Sequence, residues 1–213
     1  MKPAKQWTVG FLFFSLLGFA QGQGVRILEL NGGYVCPKDM KAGLMFGGSY
    51  GISIDERVDL SLGLSYFHKN YTRTSAVADT DFVSGVHETT VMKELEYSTT
   101  LLPVFASLNI RIPFAPPVFW YFGGSITYRF LVNKEMNFEQ SISEKRNYRG
   151  WGWMARAGIE YAIGSRSSII LEALYNIGKV KRNVKETVEG LPIWDEVDVS
   201  GFGFRAGVRL EFF

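Results

Sequence analysis

The stretch AGLMFGGSYGISIDERVDLSLGLSYF, residues 42–67, decides the fold of this chain. Apolar side chains occupy the even-numbered positions up to Ile54, except at Gly48, and again from Val58 to Tyr66, while the odd-numbered positions hold mostly glycine and serine. A period of two is typical of a β-strand with one apolar face, and the polar segment from Asp55 to Arg57 is short enough for a tight turn. The stretch therefore predicts two long antiparallel strands joined in a hairpin.

Alternation of the same kind recurs along most of the chain. No segment combines the 3.6-residue period of an amphipathic helix with capping residues, so we predict an all-β protein without helices after the first 20 residues. The eight predicted strands lie near residues 25–36, 41–54, 58–71, 93–112, 118–133, 149–163, 167–182 and 197–213.

The connections between the predicted strands alternate in length. Every second connection of an up-and-down sheet lies at the same end, so the tight turns meet at one end and the long loops at the other. Outer-membrane barrels have this asymmetry, with short periplasmic turns and longer external loops. We therefore predict an eight-stranded antiparallel up-and-down transmembrane β-barrel. The tight connections are 55–57, 113–117 and 164–167, the long polar ones are 72–92, 134–148 and 183–196, and 37–40 is a short exception on the long-loop side.

Charged residues within the predicted strands mostly share the parity opposite to the apolar residues. A lysine or arginine facing lipid near the midplane would cost about 2–4 kcal/mol, so we assign these residues to the lumen. An eight-stranded barrel is just wide enough to be filled by side chains, and unpaired ions there are costly. We therefore predict a plugged lumen with paired charges; loosely solvated charges are the alternative. The predicted lumen set is Glu29, Asp59, Lys69, Arg111, Arg129, Arg156, Glu160, Glu172, Arg205, Arg209 and Glu211.

Aromatic residues cluster near both ends of the predicted strands. Transmembrane barrels carry two aromatic belts at the membrane interfaces, although a soluble core also uses such residues. We predict that the belts include Trp120, Tyr121, Trp151, Trp153, Phe212 and Phe213.

Residues 1–20 have the features of a secretory signal peptide. A basic start is followed by an apolar run from Val9 to Leu17, and small residues stand at positions 18 and 20. This order is typical of a cleaved export signal, and a buried helix is the alternative. We predict cleavage after residue 20, or as far as residue 22, and assign residues 21–213 to one barrel domain.

The overall charge excludes one class of partner. The 213-residue chain has 23 basic and 21 acidic residues, and without the two lysines of the signal peptide it is neutral. A neutral chain offers no electrostatic reason to bind nucleic acid, so we predict no such partner. The single cysteine, Cys36, excludes an internal disulfide and a cysteine-rich zinc site. We expect no metal and no cofactor.

The whole pattern resembles a known family. The segment from Gly33 to Asp39, the strand from Glu96 to Phe105 and the final segment 201–213 look like those of the small bacterial outer-membrane β-barrel domains, the OmpA-like and OmpX-like eight-stranded barrels. The resemblance implies the outer membrane of a diderm bacterium, and contact with outer-membrane lipid and lipopolysaccharide. It also implies insertion by the barrel assembly machinery, which in this family reads a terminal aromatic such as Phe213.

Catalytic signatures are sparse. His68 ends a predicted strand, and His87 lies with Ser84 and Glu88 in the loop 72–92. Some small barrels modify lipid A with histidine, serine and acidic residues near the outer rim, but no local constellation of that kind occurs here. We therefore predict that the chain is not an enzyme.

The sequence as a whole predicts an integral outer-membrane barrel with a side-chain-filled lumen. Its expected role is structural, or lies in surface interaction with an unidentified extracellular ligand through the external loops, because loops on a rigid scaffold often carry recognition. A narrow passive channel for small solutes is the main alternative. A lipid A-modifying enzyme and a soluble periplasmic sandwich are the others.

Overall fold

The computed structural model describes residues 24–79, 88–137, 142–188 and 191–212. Within these ranges, side chains are described except at 72–95, 137–142 and 183–194. The predicted signal peptide, residues 1–20, and the terminal Phe213 lie outside the described residues.

Nine β-strands account for almost all of the described residues. No helix long and apolar enough to cross a membrane occurs among them. The strands are β1 (Arg26–Pro37), β2 (Gly43–Asp55), β3 (Val58–Asp79), β4 (Glu88–Ala115), β5 (Val118–Asn137), β6 (Ile142–Ala162), β7 (Ser167–Val188), β8 (Leu191–Asp198) and β9 (Gly201–Phe212).

The strands form one closed antiparallel barrel. Each strand from β1 to β7 pairs with the next, and β1 also pairs with β9, which pairs with β7 and closes the ring. The strands β8 and β9 follow the same register along β7 and are separated only by Val199 and Ser200. At this break the amide of Gly178 donates to Ser200 Oγ, 2.9 Å away. β8 and β9 therefore make up the eighth strand of the wall, which confirms the predicted eight-stranded barrel.

One end of the barrel carries tight turns and is called the turn end here. Only Glu56 and Arg57 separate β2 from β3, and only Pro116 and Pro117 separate β4 from β5. Residues 163–166 join β6 to β7. All three connections lie where the sequence predicted tight turns.

The opposite end, called the loop end here, differs from the prediction. The segments 72–92, 134–148 and 183–196 were expected to be long polar loops, but most of their described residues continue as paired strands. The β3–β4 pairing extends to Asp79 and Glu88, and the β5–β6 pairing extends to Asn137 and Ile142. Backbone hydrogen bonds between the strands hold these hairpins together and need no alternation of side chains, so the sequence pattern did not predict them.

The wall separates side chains by parity. On β3, Leu60 and Leu64 are 43% and 56% exposed, whereas the adjacent inward residues Asp59 and Ser61 are 1% and 4% exposed. Exposed leucines on one face and buried polar groups on the other are the reverse of a soluble core. The apolar face therefore points outward and the polar face points into the lumen.

Candidate functional site

The lumen near the turn end is filled by a network of ionised side chains, called the charged layer here. Its members come from six strands and meet because each occupies an inward position near the turn end. They are Glu29, Asp59, Arg111, Arg156, Glu160, Glu172, Arg205, Arg209 and Glu211.

One half of the charged layer centres on Asp59 and two arginines. Arg209 Nη1 donates to Asp59 Oδ2 at 2.6 Å, and Arg111 Nε lies 3.5 Å from the same oxygen. Glu211 Oε1 lies 3.2 Å from both Arg111 Nη1 and Arg209 Nε, and Glu160 Oε1 lies 3.7 Å and 3.8 Å from the same two nitrogens. Each of these guanidinium groups therefore faces three carboxylates.

The other half centres on Glu172. Arg205 Nε donates to Glu172 Oε1 at 2.7 Å, and Arg156 Nη1 lies 3.7 Å from Glu172 Oε2 and 3.6 Å from Glu29 Oε1. Because these charges lie out of bulk water, they stabilise the fold only as a paired set.

Neutral groups that the sequence analysis did not select complete this layer. Arg156 Nη2 donates to Asn109 Oδ1 at 2.6 Å, and Arg205 Nη1 donates to Asn31 Oδ1 at 3.3 Å. Both asparagines share the inward parity of the charged residues, which is the signal that could have identified them.

Tyr121 was predicted to lie in a membrane-interface belt, and this prediction is wrong. Its side chain is 0% exposed, and Arg156 Cζ lies 5.5 Å from the centre of its ring inside the lumen. Tyr121 pairs with Arg111 and has the same parity as Arg129 along β5. Its position in the run of aromatics at 119–122 suggested a belt, but its parity places it inward.

Two predicted lumen residues lie apart from the charged layer. Arg129 is buried and donates to the carbonyl oxygens of Ile177, at 3.3 Å, and Trp153, at 3.2 Å. Lys69 is half-buried nearer the loop end. Neither forms an ion pair with any residue whose side chain is described.

Above the charged layer, toward the loop end, the lumen is apolar. This apolar layer was not predicted, because its residues share the parity of the charged ones and the sequence assigned that face to ions. A cavity of about 20 Å³ beside Arg129, room for about one water molecule, lies within it. The layer consists of Val35, Met45, Phe67, Leu101, Phe105, Leu131, Tyr148, Met154, Leu174, Val180 and Val199.

The remaining predicted belt residues that the structure describes point outward. Trp120 near the turn end packs edge-on against Phe114, with ring centres 5.7 Å apart. Trp151 toward the loop end packs in the same way against Tyr128, at 4.9 Å. Trp153 and Phe212 are likewise exposed on the outer wall.

Polar contacts tie the extended hairpins together at the loop end, beyond Trp151. Tyr148 Oη donates to Asp195 Oδ2 at 2.6 Å, and burial together with this bond raises the pKa of Tyr148 to about 12. Tyr97 Oη donates to Glu135 Oε1 at 2.8 Å, and this bond, with a smaller contribution from burial, raises the pKa of Tyr97. Both phenols therefore stay protonated at neutral pH.

The residues considered for catalysis are not assembled in the described part of the chain. His68 lies on the outer face, with Nδ1 2.9 Å from the Thr100 hydroxyl and its ring stacked on Tyr66. His87 and Ser84 lie outside the described residues, and the side chain of Glu88 is not among those described.

A comparison of the sequence with known families agrees with this structure, which has a closed wall, an outward apolar face and charged side chains in the lumen. Residues 9–210 match the model of the outer membrane protein beta-barrel domain. The chain belongs to this family. As a member of it, the barrel is a protein of the outer membrane.

Solved structures share the fold of this outer-membrane barrel. Neisserial surface protein A has a TM-score of 0.52 and 13% identity, over 89% of this chain and 97% of that chain. The E. coli outer membrane protein W has a TM-score of 0.50 and 13% identity, over 89% of this chain and 98% of that chain. Ail of Yersinia pestis has a TM-score of 0.50 and 13% identity, over 89% of this chain and 99% of that chain. No curated protein matched the sequence.

Proposed function

We propose that this outer-membrane barrel is a non-conducting, non-catalytic protein whose role is structural or lies in surface interaction at the loop end. The observation that carries the proposal is the filling of the lumen by two successive layers of side chains. An ion moving through the barrel would have to displace the apolar layer and then break the ion pairs of the charged layer. Both steps are costly, because buried apolar packing and paired buried charges stabilise the fold.

The rival function, a narrow passive channel, requires a continuous water-filled path. Within the apolar layer, beside Arg129, the described lumen holds a cavity of about 20 Å³. The pairs Arg209–Asp59 and Arg205–Glu172 lie across the section below it. The close packing at both levels favours a plugged barrel.

Conductance in planar bilayers tests the plugged lumen. The refolded full-length barrel is expected to give no discrete current steps, while an established porin in the same apparatus provides the positive control. The variant Phe67→Ala is also expected to give no current steps, because the charged layer below this residue remains intact. Reproducible unitary steps from the unaltered barrel would favour the channel.

We also propose export by the signal peptide and insertion by the barrel assembly machinery. The support is the order of basic, apolar and small residues in 1–20, together with the family membership. The protein is expected in the outer-membrane fraction with a new N-terminus at residue 21 or 23, and with faster gel migration when unheated. Recovery of the uncleaved chain, or of soluble periplasmic protein, would contradict this.

The proposal that the barrel is not an enzyme is tested on lipid A. Cells expressing the barrel and cells without it are expected to have identical lipid A by mass spectrometry. A modification that disappears in His68→Ala or His87→Ala would instead support the lipid A-modifying alternative.

A further inference from the structure

A cavity of about 260 Å³ opens at the loop end, directly outside the apolar layer. Leu131 forms part of the apolar layer and also lines this cavity, and Met40 and Val197 pack against the layer from the cavity side. The cavity, called the mouth cavity here, is therefore closed below by apolar side chains. A solute that enters the mouth cavity from outside therefore cannot pass further into the lumen.

The charges that face the mouth cavity are not balanced. Lys41 and Lys69 both line it, and neither forms an ion pair with a carboxylate among the described side chains. The Nζ of Lys41 lies 3.5 Å from the centre of the Tyr71 ring, a cation–π contact that holds the ammonium group at the cavity wall.

The neighbouring carboxylates already have partners. Asp39, which also lines the cavity, accepts a hydrogen bond from the backbone amide of Asp198 at 2.8 Å. Glu135 accepts from Tyr97 and lies 3.5 Å from Arg146. The amide bond leaves Asp39 ionised, so the two lysines and Asp39 give the cavity lining a net charge of +1, which favours an anionic guest.

The remaining walls suit a ring that carries hydroxyl groups. Tyr71 and Tyr97 line the cavity and offer aromatic surface, and Tyr97 is held in place by its bond to Glu135. Thr99 donates to Asn133 Oδ1 at 3.0 Å, which fixes this amide with its NH2 group available to donate to an oxygen of the guest. Aromatic surface combined with a few fixed polar groups is typical of small-ligand sites.

We propose that the mouth cavity binds one anionic sugar unit, a carboxylated, phosphorylated or sulfated monosaccharide residue. Lys41 and Lys69 hold the anionic group, Tyr71 and Tyr97 flank the ring, and Asn133 contacts a hydroxyl. This inference rests on the proposed surface-interaction role and specifies its ligand.

Titration of the full-length barrel in detergent micelles tests the inference, with sodium glucuronate as the probe and glucose as its neutral counterpart. For a ligand of this size we expect a dissociation constant of about 1 mM for glucuronate by NMR, and binding of glucose about tenfold weaker. Binding of glucuronate is also expected to weaken as salt screens the two ammonium groups.

Matched lysine variants localise the site. Lys69→Gln and Lys41→Gln are each expected to weaken glucuronate binding about fivefold or more, since each removes one charge from the wall. Lys134→Gln removes the same charge from an exposed lysine that does not line the cavity, and is expected to leave the affinity unchanged. Unaltered heat-dependent gel migration shows that each variant is folded.

Equal affinity for glucose and glucuronate would overturn the inference, and so would undiminished binding by both wall variants. Absence of glucuronate binding at about ten times the expected constant would also overturn it. If glucuronate does not bind and planar bilayers show no current steps, the sugar site is contradicted and the plugged barrel is still supported. If glucuronate binds and current steps occur, only the plugged barrel is contradicted.

Two further probes separate the sources of such a sugar. Binding of the core oligosaccharide released from lipopolysaccharide would support a ligand in the protein's own membrane. Binding of a sulfated glycosaminoglycan disaccharide would support a ligand from another cell. Either result supports recognition of an anionic sugar, provided that Lys69→Gln weakens it.

Discussion

Arg209 on β9 and Asp59 on β3 meet inside the barrel with 2.6 Å between Nη1 and Oδ2, and each side chain is 1% exposed. Removal of the carboxylate charge would leave the guanidinium group with weaker partners in a site from which water is excluded. We therefore expect Asp59→Asn to lower the free energy of unfolding by about 3 kcal/mol, measured by urea titration in lipid vesicles.

Ser61→Ala provides the control for this pair. Ser61 is also buried and lies two residues along the same face of β3, but its hydroxyl has no hydrogen-bond partner among the described residues. Its replacement is expected to change the free energy of unfolding by less than about 1 kcal/mol. A loss in Asp59→Asn no larger than that in Ser61→Ala would show that the ion pair does not stabilise the barrel.

Gly178 has a φ of +153° and lies against Arg129 and Gly152, where a Cβ atom would overlap Arg129 Nη1. Gly178→Ala must displace the arginine from its two carbonyl acceptors or strain the backbone. We expect it to lower the free energy of unfolding by about 1–3 kcal/mol in the same assay.

Gly124→Ala is the matched substitution for Gly178→Ala, because a Cβ atom at Gly124 would meet nothing within 4 Å. This variant is expected to be as stable as the unaltered protein, or slightly more so, since alanine restricts the unfolded chain. Equal effects of the two substitutions would contradict the proposed fit around Arg129.

Tyr148 links β6 to the β7–β8 hairpin through Asp195, and its pKa is raised from 10.0 to about 12. Because the folded state holds the proton more tightly, the resulting stabilisation is fully present below pH 10 and is lost as the pH rises toward 12. An absorbance titration of tyrosinate should show one group ionising near pH 12 that is missing in Tyr148→Phe.

Asp195→Asn tests the cause of this shift. The carboxylate raises the pKa of Tyr148 both as hydrogen-bond acceptor and as a negative charge, so its neutralisation should bring the late-ionising group closer to pH 10. An unchanged titration would mean that burial alone sets the pKa.

Leu108 on β4 faces outward, 46% exposed, about midway between the turn end and the outward Trp151 level. In the barrel's lipid surroundings Leu108→Arg is expected to lower the free energy of unfolding by about 2–4 kcal/mol. Ile112→Arg, on the same face but nearer the turn, should cost only about 0–1 kcal/mol. Equal losses at both positions would contradict a membrane midplane near Leu108.

Parity made the wall predictable from sequence. Polar and apolar residues alternate strictly where one face meets lipid and the other faces the lumen, as along β3 from Val58 to Tyr66. Charged residues such as Glu172 then identify the inward face, since an ion facing lipid is costly. The same logic places Tyr121 inward, and the belt assignment failed because it considered neighbours in sequence instead of parity.

The apolar layer, the extended hairpins and the break in the eighth strand could not be predicted, because alternation does not reveal the contacts that determine them. Phe67, Leu101 and Leu131 are apolar on the inward face, so nothing in the pattern distinguishes a packed layer from residues that line a channel. The segments beyond Trp151 do not alternate in sequence, so their continuation as paired hairpins was not predicted. The break at Val199 and Ser200 depends on a hydrogen bond to Gly178, which is distant in sequence.

The strand β9 joins β1 over twelve residue pairs and β7 over ten. Its main chain thus completes both remaining seams of the ring at once, and neither seam can form while the ribosome has yet to synthesise residues 201–212. A truncation before Gly201 would leave two unpaired strand edges, on β1 and β7, where the closed barrel has none, and such edges can pair with other chains and aggregate.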